Sequence, residues 1–508
     1  MTDESQIQHP SCPQKGRDTQ ASCVLSLIRP QALVLIWAFF ILFIFLVFSW
    51  KLFSYPYDWA EGEGLRIIYA QRFLNGEPIY GNNDLFPMLG NCYPPFYILW
   101  IALAIEGLGP QLLAGRIVAF LATLGVSILI AKALRKEVGG WIGPMVGAAS
   151  YLAYPTLVPL SLVVSFDPLG VFLVVLAASI LHSSRPNPTK LILAGISLVL
   201  AIYTKQTFIY GFLGLAAWLG VHRKWRDLAL LSFVFVAGSV LIFFLLQVTT
   251  DGWFLRNVVM NNVHRQFSLI RIVGFGLSLS AEAPLLTILS LLGCFLYRDI
   301  HSLWRWLFLF SLCKALLIAA NGAHYHYFLP WISISSIFAG ATVDRILRQG
   351  SGSSRTSWLV GMGLTLGLCL NAYPGRPKGI WGWNALNYAP KSSHRQAMET
   401  IQGYIAWAPG DVYVDRLHAL LLPKGDWLHV VETAHILDLW RAGKWDPSVM
   451  VEKIRSREFS LMCVSEQTLL PPPVVQEILR HYRILATLDI GTFEIARPRS
   501  CHILVPRE

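Results

Sequence analysis

Residues 31–64 read QALVLIWAFFILFIFLVFSWKLFSYPYDWAEGEG. Residues 31–50 hold no charged side chain, whereas the segment 58–64 holds Asp58, Glu61 and Glu63. A helix crosses the hydrocarbon layer in about 20 residues, so 31–50 predicts a span. The acids just after it predict a polar loop at the membrane surface. Further apolar runs lie near 111–131, 141–160, 168–182, 191–204, 207–220, 228–248, 274–296, 303–320, 327–343 and 357–373. With the first, they predict an all-α polytopic membrane protein with about eleven transmembrane helices. Two runs, 191–204 and 207–220, are short and meet at Thr204, Lys205 and Gln206.

The chain has 508 residues, 54% hydrophobic and 14% charged. Soluble proteins carry about 25% charged residues. The shortfall is confined to the first three quarters. From residue 375 onward there are 16 basic and 14 acidic residues, an ordinary aqueous balance. The chain therefore divides into a cytoplasmic tail (1–30), a membrane region (31–373) and a small α/β domain (374–508). The net charge of +11 does not signal nucleic acid, because the basic residues sit at span ends.

Lys132, Arg135 and Lys136, then Arg223, Lys224 and Arg226, then Arg345, Arg348 and Arg355 fall in alternate loops. Positive-inside asymmetry puts these loops and the N-terminus in the cytoplasm. An odd span count then places the C-terminal domain outside, in a multi-pass protein of the inner (cytoplasmic) membrane. The stretch 94–108 is apolar but short. Read as a helix lying at the outer surface, it leaves 51–110 as one long external loop, a length that is usually functional. In the outer domain, 411–415 and 459–465 read as strands, 483–489 and 492–497 as a hairpin. None of the eight Cys forms a CxxC pair; Cys463 and Cys501 are available to pair if their domain is extracytoplasmic.

Several polar residues call for a role beyond solvation. Asp58 and Glu61, three residues apart, fall on one side of a helical turn, with Glu63 in support. Neighbouring carboxylates raise one another's proton affinity, which suits a general base; they also suit a divalent metal. Asp167 precedes Pro168 at a span start, where it reads as a cap or a site residue. Lys205 and Gln206 interrupt an apolar stretch, and an amine at membrane depth points to a phosphate partner or to snorkelling. Arg116 invites the same comparison. Lys314 lies inside a span, with His324 and His326 just beyond it. No motif demands a cofactor.

These motifs resemble the GT-C superfamily of integral-membrane glycosyltransferases. The likeness is to the bacterial family-39-like branch, relatives of protein O-mannosyltransferases and of the lipid A aminoarabinose transferase. It rests on Asp58 and Glu61 in the first outer loop, Tyr93-Pro94-Pro95-Phe96, Arg116 in RIVAFLATLG, Asp167, and His326-Tyr327-Phe328-Leu329-Pro330. It implies transfer of a sugar from a polyprenyl-phosphate donor, with inversion, to an envelope lipid, glycan or protein at the outer face. Asp58 would be the catalytic carboxylate. The family's adjacent acidic pair is spread out here, which brings in Glu61. Tyr93 stands where relatives often carry Lys or His before Pro-Pro, so Lys205, Arg116 or His326 would take the phosphate. Taken without the resemblance, acids at a membrane edge and a broken helix pair also suit a secondary transporter or a flippase component of envelope polysaccharide synthesis.

Overall fold

The computed structural model describes residues 30–154, 157–182, 187–264, 267–296, 300–320, 323–349, 389–425, 428–466, 468–493 and 497–508, with positions 359, 363 and 386 between them. The expected span 357–373 thus lies outside the described residues.

The first helix, Pro30–Phe53, shows why the bundle forms. Trp37, Ile41, Ile44, Phe48 and Leu52 are buried, whereas Ile36, Phe39, Phe43, Leu46 and Trp50 stay exposed. Both sets recur at helical spacing, so one apolar face packs on protein and the other is left for lipid. Trp225–Thr249 is an outer helix of the bundle, with Leu231 and Phe235 its buried residues. Ile142–Leu152 and Leu329–Gln349 approach almost backbone to backbone. A methyl group on Gly340 would lie 2.5 Å from the Gly143 carbonyl oxygen. Small residues permit this approach, which compensates for the missing hydrophobic drive between helices in lipid.

The expected count of about eleven spans is corrected. Among the described residues, four helices are long and apolar enough to cross a membrane: Gln31–Phe53, Leu112–Val138, Trp225–Thr249 and Ser302–Ala319. The run 274–296 is broken into Leu269–Glu282 and Pro284–Leu296, bent by 102°, and adds a fifth if counted as one span. Pro284 removes a helical donor at the break. Shorter apolar helices make up the remainder: Phe96–Leu108, Ile142–Leu152, Phe166–His182, Pro188–Thr204 and Gln206–Val221. At 1.5 Å per residue, the 17-residue Phe166–His182 reaches only about 25 Å, short of the ~30 Å hydrocarbon core.

The C-terminal region is a four-stranded sheet in the order β1-β2-β4-β3. The strands are β1 Asp411–Val414, β2 Phe459–Ser465, β3 Tyr482–Phe493 and β4 Arg497–Pro506. β1 and β2 are parallel, while β4 runs antiparallel to both β2 and β3. The last two strands are longer than the expected hairpin, since β3 continues through Gly491 instead of turning there. Cys463 and Cys501 form a disulfide between β2 and β4.

The long outer loop is built into this domain. Met88 is fully buried in the domain's core with Tyr413, Val431, Phe459 and Met462. Its N–H donates to the Val430 carbonyl at 2.9 Å, and Trp445 Nε1 donates to the Asn83 carbonyl at 2.8 Å. The loop thereby joins the bundle to the sheet.

Candidate active site

The three acids of the first outer loop have three different fates. Glu63 opens the helix Glu63–Leu74 and is completely buried. Its carboxylate takes a fork from Arg116, Nε at 2.9 Å and Nη2 at 2.8 Å. It also accepts from the N–H groups of Trp59, Ala60 and Val164. Burial pushes the Glu63 carboxyl up, but the Arg116 charge and these donors outweigh it and hold the group low. Arg116 completes its set by donating to the carbonyls of Leu52, Tyr55 and Tyr57. All five guanidinium N–H groups are then engaged. Arg116, expected to meet phosphate, has no donor left for it.

Asp58 is also buried. One oxygen accepts from Gly64 N–H at 2.7 Å, the other from Ala419 N–H at 2.7 Å. Ala419 belongs to the outer domain. Gly64 permits the contact, since a methyl group there would lie 2.1 Å from the Ala419 nitrogen. Burial pushes the Asp58 carboxyl up to about 7 against these two donors. Asp58, expected as the base, ties the loop to the domain through these two bonds and is not among the residues that line the cavity.

Glu61 does line it. A cavity of about 840 Å³ opens where the bundle meets the outer domain. Its wall carries Glu61, Arg66, Tyr69, Asn91 and Tyr93 from the outer loop, Arg271 from the bent helix pair, and His324 and His326. The outer domain adds Arg416, Glu432, His435 and Asp438. Arg416 forms an ion pair with Glu61 and sits at φ 65°, a left-handed conformation that is costly for a residue with a side chain. Arg271 is anchored to the carbonyls of Ile318 and Ala323 and to the Phe275 ring, 5.3 Å away.

Next to the cavity lies a second buried cluster. Asp167 accepts from Lys205 Nζ at 2.8 Å and from Lys314 Nζ at 3.4 Å. His326 Nε2 is 3.8 Å from the same carboxylate. Lys205 also faces the rings of Tyr93 and Tyr327, 5.4 and 4.6 Å from their centroids. The short helix pair expected at 204–206 is real: Pro188–Thr204 ends where Lys205 takes an extended backbone, φ −160° and ψ 127°. Lys205 does not line the cavity; it pairs with Asp167 and faces the ring of Tyr93, which does line it. Gln206 donates to the carbonyls of Cys92 and Val258, so it holds the outer loop to the bundle.

The acidic loop does not assemble a metal site, because Asp58 and Glu63 are occupied by N–H donors and Glu61 by Arg416. Among the described residues, the grouping with metal-ligand geometry is Asp411, His429 and Glu458 in the outer domain.

Sequence reasoning brought out Glu61, Tyr93, His324 and His326. It missed Arg66, Arg271, Arg416, Glu432, His435 and Asp438. The i, i+3 placement of His435 and Asp438 was a legible signal once Thr433–Arg441 was read as a helix.

No protein-family model and no curated protein matches the chain. The fold has solved counterparts. ArnT from Cupriavidus metallidurans bound to undecaprenyl phosphate superposes with a TM-score of 0.59 at 14% identity, over 92% of this chain and 98% of that one. The archaeal oligosaccharyltransferase AglB from Archaeoglobus fulgidus, in complex with an inhibitory peptide and a dolichol-phosphate, gives 0.50 at 13% identity, over 84% and 69%. In its apo form the Archaeoglobus fulgidus oligosaccharyltransferase gives 0.54 at 11%. The chain has the fold of these membrane proteins.

Proposed function

We propose that this protein is a membrane glycosyltransferase. It moves a sugar from a polyprenyl-phosphate donor to a hydroxyl of an envelope lipid, glycan or protein at the outer face. One observation carries the reading: a single cavity between bundle and outer domain combines a carboxylate on its wall with cations suited to a phosphate. The fold shared with ArnT bound to undecaprenyl phosphate and with AglB holding a dolichol-phosphate points the same way. The Cys463–Cys501 disulfide suits an oxidising, extracytoplasmic location for the domain of a protein of the cytoplasmic membrane.

The chemistry follows from the wall. Glu61 takes the proton of the acceptor hydroxyl as that oxygen bonds to the anomeric carbon. The bond from that carbon to the phosphate oxygen breaks, and polyprenyl phosphate leaves. One displacement inverts the centre. Arg271 meets the charge developing on the leaving phosphate as a preplaced cation, which acts strongly in a water-poor site, and His326 offers its neutral imidazole as a hydrogen-bond donor beside it. Arg416 holds Glu61 toward the cavity until acceptor binding displaces it. The lipid tail lies along Phe96–Leu108, where Leu99, Trp100, Leu103 and Leu108 are exposed.

The test is an assay of purified full-length protein with a panel of radiolabelled polyprenyl-phosphate sugars. Free polyprenyl phosphate and labelled acceptor should appear together. Glu61→Gln should lower the rate by about 100- to 10,000-fold, with donor binding retained. Near-normal turnover in that variant would remove Glu61 as the base. Solute uptake into vesicles, with no release of polyprenyl phosphate from any donor, would instead identify a transporter.

A further inference from the structure

The outer domain carries a second cluster that the proposed reaction does not use. Asp411 opens β1, and Glu458 immediately precedes β2. The strands are parallel neighbours, with Asp411 paired to Phe459, so both carboxylates emerge at one end of the sheet. His429 arrives from the segment that pairs with the outer loop at Met88 and Val431. The ligand atoms of the three residues lie within 4.8 Å of one another. His429 Nε2 is 3.4 Å from Glu458 Oε1 and 3.8 Å from Asp411 Oδ2.

The imidazole is the decisive group. Its side chain is 4% exposed, and Nε2 is buried with no hydrogen-bond partner among the described residues. Leaving such a nitrogen unsatisfied is costly. The ring is fixed edge-to-face by Phe86 at 5.4 Å and by Phe459 at 5.1 Å. It therefore points at two carboxylates without bonding to either. A tetrahedral metal with ligands at about 2.1 Å separates neighbouring ligand atoms by about 3.4 Å. The two spacings from His429 lie within a few tenths of an ångström of that value, and the two carboxylates, with ligand atoms within 4.8 Å, would draw together around the ion. Asp411 and Glu458 are 43% and 35% exposed, which leaves water free to complete the shell.

We propose that Asp411, His429 and Glu458 bind a divalent transition metal of the zinc class. An imidazole nitrogen with two carboxylates favours such an ion over calcium or magnesium, which take oxygen ligands. The site would lock the outer loop to the sheet. Phe86 touches the ligand ring, and Gly90, Asn91, Cys92 and Tyr93 a few residues later line the cavity. Lys453 is the built-in competitor, since its ammonium pairs with Glu458.

The test uses intact detergent-purified protein stripped of metal and titrated with zinc chloride. Bound zinc is counted after gel filtration, and thermal stability is followed in parallel. One zinc per chain should bind and raise Tm. Asp411→Asn and His429→Gln should each weaken binding at least 10-fold, whereas Lys453→Met should tighten it. Asp411 is exposed enough for its variant to fold even if the His429 variant does not. No zinc bound by the intact protein would overturn the proposal. So would zinc binding that neither ligand variant changes, which would put the ion elsewhere, for instance on the cavity histidines.

Discussion

Glu63–Arg116 and Asp167–Lys205–Lys314 are both buried ion clusters in the membrane half, yet they are built to different stoichiometries. In the first, one carboxylate meets one guanidinium, and carbonyls absorb the remaining donors. Both side chains are 0% exposed. In the second, one carboxylate serves two amines, which in formal charge leaves one cation in excess. His326, 22% exposed, extends that cluster to the cavity wall. Burial alone does not tell a structural pair from a ligand site. The balance of charge separates the two clusters, because a second buried amine on one carboxylate is costly to keep charged.

Breaking the closed pair should have the largest effect. Arg116→Met leaves Glu63 buried without its partner, and such losses typically cost about 3–5 kcal/mol. Denaturation in detergent should show that drop, and the double change Arg116→Met with Glu63→Met should recover most of it. A mild effect of the single change would mean that Glu63 is not neutralised mainly by Arg116. Thinning the open cluster should behave oppositely. Lys314→Met removes the surplus amine while Asp167 keeps Lys205, so Tm should stay level or rise. A Tm loss as large as that of Arg116→Met would erase the distinction.

A smaller, pH-dependent effect sharpens the contrast with the acids that face the cavity. Burial raises Asp58 from its ordinary 3.8 to about 7. Between those values the folded chain binds a proton that the unfolded chain does not, so the Asp58 share of stability falls as pH rises through that window. Asp415, raised to about 6 by burial, acts in the same sense. His418, lowered to about 4 by burial, acts in the opposite sense below about 6.5. Both cancel in the difference between wild type and Asp58→Asn. That Tm difference should change monotonically from pH 4 to 7, with wild type losing ground as pH rises. A flat difference would mean that Asp58 titrates normally.

The apolar runs, the acidic loop, the aqueous domain and the two pairable cysteines were legible because each is local in sequence. The fates of the acids were not. Asp58 is engaged by a donor 361 positions on, and Glu61 is paired with Arg416, 355 positions on. Spacing within a loop cannot disclose partners at that distance. Lys205 was legible as an anomalous amine, but its pairing with Asp167 depends on how two helices pack. The break at Pro284 was visible in the sequence and outweighed by the hydropathy on either side of it.

Arg271 on the cavity wall should hold the phosphate of the lipid. Equilibrium binding of a polyprenyl phosphate and of the neutral polyprenol to wild type and Arg271→Met tests this directly. The phosphate should bind wild type at least about 10-fold more tightly than the alcohol, the equivalent of ~1.4 kcal/mol, and Arg271→Met should remove most of that preference while leaving alcohol binding unchanged. Equal affinity of wild type for the two lipids, or an undiminished preference in Arg271→Met, would contradict it.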